Sequence, residues 1–214
     1  MTGVLEQIAA QRVIPVLRSA DVADAVATAR ACAAAGMRAI ELTRTTPDVE
    51  RALEALRDDG LLLGLGTVTH RDQVAAAARA GARFVVSFTA PAGMVEAAHE
   101  HGLAAIPGAF TPTEVAACAA AGADAVKLFP ARAATPAYLG DLRAVLPGVR
   151  VLATGGLRAT ADSAGAWLAA GALAVGVGSE LGTAAEHGAT EVERRARAAL
   201  AALGGTPVRS SAVR

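Results

Sequence analysis

Lysine is nearly absent from this chain of 214 residues: 19 of its 20 basic residues are arginine and a single one, Lys127, is lysine. An arginine-rich composition accounts for the surface cations. It does not account for Lys127, which lies in the apolar run Ala125-Val126-Lys127-Leu128-Phe129, where burying a charge is costly. Aromatic residues are also scarce, at 3%, and neither sign of charge is in excess, the formal net charge being +0. With no basic stripe and few aromatics, a nucleic-acid surface is excluded, and with no polybasic patch there is no handle for anionic lipid. Two cysteines occur, Cys32 and Cys118, each in an alanine-rich helical stretch away from any histidine. That excludes a disulfide scaffold and a cysteine-ligated metal, and leaves two small core residues. A run of about 18 uninterrupted apolar residues is missing, and the first residues show neither the basic nor the apolar region of a signal peptide, so no membrane partner and a cytoplasmic location are expected.

What is abundant is apolar, 53% of residues, and it is arranged periodically. Strand-like runs recur at residues 13–17, 39–42, 61–65, 84–86, 104–106, 125–129, 149–153 and 173–177, with helical spacing between them at 22–35, 49–56, 73–80, 115–121 and 163–170. Strand and helix alternating through short glycine-punctuated connections mean a parallel sheet. Eight such units predict an α/β fold, a single (β/α)₈ TIM barrel with an N-terminal helix; an open doubly wound sheet is the alternative. No linker interrupts residues 1–205, so one domain is expected there, followed by a loose tail at 206–214 that lacks an apolar period.

The corner from helix to strand repeats as Ala-Gly-x-x at Gly36, Gly81, Gly122 and Gly171, before the second, fourth, sixth and eighth runs. Each glycine suits the left-handed position that ends a helix. Five residues beyond them stand Glu41, Val86, Lys127 and Gly176. Alternate strands of such a barrel contribute the four side chains of one interior layer. These four therefore form a layer near the C-terminal ends of their strands, where barrel active sites lie, with Glu41 facing Lys127 and small Gly176 leaving space for a ligand. The structural alternative is a buried ion pair, but such pairs are often no more stabilising than apolar replacements. Chemistry is the better reason for this one. Desolvation favours the neutral form of an amine, the form that attacks a carbonyl, and a carboxylate beside it can move the protons that carbinolamine formation and C–H abstraction require.

The segment Ile106-Pro107-Gly108-Ala109-Phe110-Thr111-Pro112-Thr113-Glu114 precedes Ala125-Val126-Lys127-Leu128-Phe129-Pro130. Ile14-Pro15-Val16-Leu17-Arg18, Ile40-Glu41-Leu42-Thr43, Gly66-Thr67-Val68, Thr154-Gly155-Gly156 and Val177-Gly178-Ser179 complete the set. In this order the motifs resemble the 2-keto-3-deoxy-6-phosphogluconate aldolase family, which also includes 4-hydroxy-2-oxoglutarate aldolases. The resemblance implies a class I aldolase, usually a homotrimer, that needs no metal or organic cofactor. It implies that Lys127 forms an imine with pyruvate and that Glu41 is the general acid/base. It further implies that Thr67 helps hold the pyruvyl carboxylate, that Phe129 lines the pocket and that Thr111-Pro112 belongs to a loop above it, with Arg18 a further candidate for binding substrate. Two departures stand out. The family commonly places an arginine four residues after the glutamate, whereas Arg44 is three residues after Glu41, and a one-residue move redirects a side chain on an extended backbone. The family's Ser-Pro-Gly after the fourth strand is replaced by Ser87-Phe88-Thr89.

Thr154-Gly155-Gly156 after the seventh run and Gly178-Ser179 after the eighth fit a barrel phosphate site, where bare N–H groups and a hydroxyl surround an oxyanion. The plainer reading is a pair of tight turns. His99-Glu100-His101 offers a superficial metal motif, but residues i and i+2 of a helix point apart and no acidic cluster accompanies it in the sequence. A solvated helix end is expected there, as at His70 and His187, and residues 191–197 read as the exposed face of the last helix. The expected reaction is cleavage of a 2-keto-3-deoxy-6-phospho sugar acid, or of a 4-hydroxy-2-oxo acid, to pyruvate and an aldehyde, glyceraldehyde 3-phosphate or glyoxylate. The alternatives are an aldolase for an unphosphorylated acid, a phosphate-binding isomerase or transferase in which Lys127 is an electrostatic group, and a non-catalytic pyruvate-binding relative.

Overall fold

The computed structural model of the protein describes residues 2–205; the tail expected at 206–214 lies outside the described residues. The chain begins with α1 (Thr2–Gln11), β1 (Val13–Leu17), α2 (Val22–Ala34), β2 (Ala39–Thr43), α3 (Val49–Leu56), β3 (Leu62–Gly66), α4 (Asp72–Ala80) and β4 (Phe84–Val86). It continues through α5 (Met94–Glu100), β5 (Ala104–Ile106), β6 (Gly108–Ala109), α6 (Pro112–Ala120), β7 (Val126–Leu128), a 3₁₀ turn (Ala131–Ala133), α7 (Pro136–Val145) and β8 (Val151–Thr154). A π turn (Ala161–Gly165) then leads into α8 (Ala166–Ala169), β9 (Ala174–Val177), α9 (Ala184–His187) and α10 (Ala189–Leu203). Among the described residues no helix is long and apolar enough to cross a membrane.

All strand pairings are parallel, in the order β5-β4-β3-β2-β1-β9-β8-β7-β6. Among the described residues nine segments stand where eight runs were expected, because the fifth barrel strand continues past the run at 104–106 and Pro107, which has no N–H to donate, divides it into β5, paired with β4, and β6, paired with β7. Backbone bonds from the sixth run then bring the two ends of the sheet together: Asp124 N–H donates to Ala105 O at 3.0 Å, Lys127 N–H to Pro107 O at 2.8 Å and Phe129 N–H to Ala109 O at 3.1 Å. The architecture is the expected barrel with its N-terminal helix, not an open sheet. The helix expected at 163–170 begins instead with a π turn, because Gly165 N–H reaches back five residues to Thr160 O at 3.0 Å.

The glycine ruler holds. Gly36, Gly81, Gly122 and Gly171 have φ of 102°, 101°, 84° and 97°, a conformation that favours glycine at a helix end. Three residues beyond each come Ala39, Phe84, Ala125 and Ala174, and all four belong to one buried cluster with Ile14, Leu62, Ala104 and Leu152 inside the barrel. Val4, Leu5 and Ile8 of α1 pack into the same cluster, so the N-terminal helix closes the lower end. Gln11 completes that closure. Its Nε2 donates to Val13 O and Ala39 O, both at 2.7 Å, and its Oε1 accepts from Arg38 N–H at 2.6 Å and Ala39 N–H at 2.9 Å. A second, larger cluster fills the space between the strands and the surrounding helices and includes both cysteines. Burial pushes the Cys32 thiol up to about 12, consistent with a core residue rather than a reactive one.

Candidate active site

Glu41 is the central residue of β2 and Lys127 the central residue of β7, two residues and one residue from the C-terminal ends of their strands. Three strands separate β2 from β7 on either side of the barrel, with β5 and β6 counted as the one strand they form, yet Lys127 Nζ lies 3.4 Å from Glu41 Oε1. Their side chains meet across the interior. The Lys127 residue is 4% exposed and Glu41 0%, so the pair sits where little water screens it.

Room for the carboxylate comes from Gly66 at the end of β3, because a Cβ there would overlap Glu41 Oε1. Nothing in the helix-to-strand repeat singled out this glycine. Its contribution is visible only once β3 lies beside β2. The space expected at Gly176 is not free: a Cβ there would come within 2.5 Å of Thr154 Oγ1, so the threonine of neighbouring β8 fills it. Thr154 is thereby brought into the interior next to the Lys127 layer. Thr154 Oγ1 and Glu41 Oε2 are both buried without a hydrogen-bond partner among the described residues. An unpaired buried polar atom costs roughly 1–3 kcal/mol, and such atoms are kept where strain, catalysis or ligand contact explains them.

Thr67 follows Gly66 directly and has φ 62°. A β-branched residue there is a genuine outlier that costs of order 1–3 kcal/mol and typically clusters at ligand clamps. The Phe129 ring centroid lies 5.8 Å from Lys127 Nζ, within cation–π range. The same ring leans on the bare Cα of Gly155, where an added Cβ would come within 2.9 Å of it. Gly155 and Gly156 have φ of 105° and 75°. Arg132, from the 3₁₀ turn after β7, lays its side chain over Gly156 and donates its backbone N–H to Gly155 O at 2.9 Å. No sequence signal pointed to Arg132.

A cavity of about 230 Å³ at the C-terminal ends of β1 and β9 is lined by Arg18, Gly178 and Ser179, together with Thr183 and Glu186. Three expected substrate-binding residues meet there, whereas Thr154, Gly155 and Gly156 stand outside it at the end of β8. The start of α9 does not offer its N–H groups to this cavity. Ala184 N–H donates to Thr28 Oγ1 and Ala185 N–H to Asp24 Oδ1, each at 2.8 Å, so α2 already caps it. Arg44 donates to Glu50 Oε1 at 2.5 Å, both side chains being about a third exposed.

Two other motifs resolve into structure. Thr111-Pro112-Thr113-Glu114 is the capping box of α6, with Glu114 Oε2 accepting from Thr111 N–H at 2.8 Å and Phe110 N–H at 2.9 Å. Those backbone bonds hold the Glu114 carboxyl below the usual carboxylate range. His99, expected as a solvated helix end without an acidic neighbour, instead has Asp124 Oδ2 at 2.9 Å from its Nε2. Asp124 comes from a later helix-to-strand corner and also accepts Ala105 N–H at 2.8 Å. Among the described residues no three His, Cys, Asp or Glu side chains gather as metal ligands would.

A family model described as KDPG and KHG aldolase matches residues 4–196. The chain is similar to the 2-dehydro-3-deoxy-6-phosphogalactonate aldolase of Escherichia coli, 35% identical over 192 residues that cover 88% of this chain and 91% of that one. Among solved structures it is similar to the KDPG aldolase of Legionella pneumophila with pyruvate captured as a covalent carbinolamine intermediate, at 29% identity and a TM-score of 0.82 over 92% and 97% of the two chains. It is also similar to the 2-keto-3-deoxy-6-phosphogluconate aldolase of Zymomonas mobilis with 3-phosphoglycerate, at 29% identity and a TM-score of 0.84 over 100% of each.

Proposed function

The chain belongs to the KDPG and KHG aldolase family, and on that footing we propose that it cleaves a 2-keto-3-deoxy-6-phospho sugar acid to pyruvate and a phosphorylated aldehyde through a Schiff base on Lys127. The observation that carries this reading is the meeting of Lys127 Nζ and Glu41 Oε1 at 3.4 Å in a buried layer, with Glu41 Oε2 unpaired beside them. Proton transfer from the ammonium to the carboxylate frees the nitrogen lone pair to attack the substrate's C2 carbonyl. Glu41 then returns a proton to the carbinolamine hydroxyl, which leaves as water and gives the iminium. The iminium accepts the electrons of the C3–C4 bond as Glu41, directly or through a water, removes the C4 hydroxyl proton. The aldehyde departs, the enamine is protonated at C3, and hydrolysis releases pyruvate and the amine. Glu41 thus serves alternately as acid and base. The carbinolamine of the Legionella relative supports the first step. No metal or organic cofactor enters the scheme.

Thr67, held at positive φ directly after the Gly66 that makes room for Glu41, is assigned to the pyruvyl carboxylate, and Phe129 shields the amine. Arg44 would join in binding a carboxylate by exchanging Glu50 for it. At the far end Arg18, Gly178 and Ser179 hold the phosphate, with Thr154, Gly155 and Gly156 forming the adjoining wall; that the Zymomonas relative was solved with 3-phosphoglycerate supports a phosphorylated substrate. Residues 1–205 are taken as one catalytic domain, and the working assembly as a cytoplasmic homotrimer. Matched 6-phosphorylated and unphosphorylated six-carbon acids test the substrate. One surplus charged hydrogen bond of about 1.5–3 kcal/mol predicts tenfold or more in kcat/KM for the phosphorylated acid. Equal values, with no competitive inhibition by inorganic phosphate, would contradict the phosphate assignment, and failure to release pyruvate from any such acid would contradict the aldolase reading.

A further inference from the structure

Phe88 is one of two large apolar side chains exposed among the described residues, at 42%, and it stands on a turn that has little freedom. Ser87 Oγ donates to Val68 O at 2.6 Å and accepts Thr89 N–H at 3.1 Å, while Gly108 N–H donates to Thr89 O at 2.7 Å. The turn is therefore tied to the segment after β3 on one side and to β6 on the other. Gly108 is required at that contact, because a Cβ on it would overlap the backbone carbonyl carbon of Phe88. Held this way, the Phe88 ring meets the Phe129 ring edge to face, with centroids 6.3 Å apart and planes at 64°. Phe129 in turn lies 5.8 Å from Lys127 Nζ. The two rings form a continuous apolar wall that starts beside the amine and ends in solvent.

An exposed ring on a fixed turn at an active-site mouth has its surface available to whatever enters. In an imine on Lys127 the substrate carbon C5 is four bonds from Nζ, about 5–6 Å in extended form, a distance comparable to that of the Phe129 ring. C6 reaches further toward the rim. We infer that Phe88 is a specificity-determining residue of the proposed aldolase, its ring packing against the C–H groups of the leaving aldehyde and favouring aldehydes of three carbons or more over two-carbon glyoxylate. The inference rests on the aldolase reading above. The face of an aromatic ring carries negative quadrupolar charge, which suits the polarised C–H groups of a polyol chain. Glyoxylate places a carboxylate at the position of C5 and offers the ring no such surface. Covering the exposed part of Phe88 removes enough apolar area from water for about tenfold in affinity.

The test runs the reaction in the direction of addition, with saturating pyruvate and either glyceraldehyde 3-phosphate or glyoxylate, on the parent protein, Phe88→Ala and Phe88→Tyr. Exchange of the pyruvate methyl protons in deuterated water reports imine and enamine formation without any aldehyde. Phe88→Ala should exchange at the parent rate while its KM for glyceraldehyde 3-phosphate rises about tenfold, its kcat changes little and its KM for glyoxylate stays put. Phe88→Tyr, which keeps the ring, should retain the parent KM. An unchanged KM for glyceraldehyde 3-phosphate in Phe88→Ala would overturn the inference. So would an equal rise for both aldehydes, or a loss of proton exchange, which would mean that Phe88 supports Phe129 and the amine rather than the aldehyde. A parent protein that exchanges no pyruvate protons would overturn the aldolase reading, and this inference with it.

Discussion

At the lower end of the barrel Gln11 is buried and makes four hydrogen bonds to backbone groups, while at the upper end Glu41 is equally buried, meets Lys127 at 3.4 Å and leaves its second oxygen unpaired. The same strands run between them. Below, the α1 side chains and an apolar layer fill the interior, with Arg38 Nε as a buried unpaired exception. Above are a threonine at positive φ, an unpaired Thr154 hydroxyl and, one ring removed from the amine, a half-exposed Phe88. Arg38 apart, the lower end satisfies the polar atoms it buries and so contributes stability. The upper end keeps unpaired atoms and backbone strain, which cost stability and are useful only if a ligand meets them.

Substitutions should separate the two ends. The largest effect is expected from Lys127→Arg, which keeps the positive charge but cannot form an imine because guanidinium stays protonated. Steady-state cleavage should fall to background while thermal unfolding stays near the parent's; turnover within tenfold of the parent would show that Lys127 is not the nucleophile. Glu41→Gln keeps the shape and should lower kcat by about 10²- to 10⁴-fold, the usual range for lost acid–base catalysis. Gln11→Ala should do the reverse. Gln11 serves four backbone groups and stranding each costs roughly 1–3 kcal/mol, so a loss of about 4 kcal/mol or more is expected in denaturant unfolding, with kcat per folded molecule unchanged. Impaired kcat with normal stability would mean that the lower end also serves the chemistry.

The smallest effect concerns the rim at α6. The folded-state pKa of Glu114 is depressed by N–H bonds from Thr111 and Phe110, so its contribution is fully present above the unfolded value of about 4.5 and is lost as pH falls through the lower folded value. Amide exchange at Phe110 and Thr111 should accelerate through that acid window in the parent. In Glu114→Gln the acid-dependent step should vanish, and a step that persists would assign it to another group.

Much of this contrast was legible in the sequence because helix-ending glycines mark where each even strand begins. Counting from Gly36, Gly81, Gly122 and Gly171 sufficed to bring Glu41 opposite Lys127, since the strands are short and the layer lies only five residues on. What could not be read is what one strand does to its neighbour. Gly176 promised space that Thr154 of β8 takes up, and Gly66 makes the room that Glu41 occupies; spacing along a single strand carries neither fact. The partnership of His99 with Asp124 joins residues 25 apart and depends on how one corner packs on the next. Pro107 could be seen to lack a donor, but its division of a barrel strand follows from the pairing of β5 with β4 and of β6 with β7. The Thr-Pro-x-Glu part of the conspicuous motif is accounted for by a helix cap, which leaves the chemistry to the lysine and glutamate.

That the chain contains a single lysine makes the central claim open to one direct measurement. The protein is incubated with pyruvate and borohydride, digested and mapped by mass spectrometry. Reduction of a Schiff base should leave one pyruvyl-derived adduct per chain, on the peptide that carries Lys127. No adduct, or an adduct confined to the N-terminal amine, would contradict the proposal that the buried upper end of this barrel forms an imine.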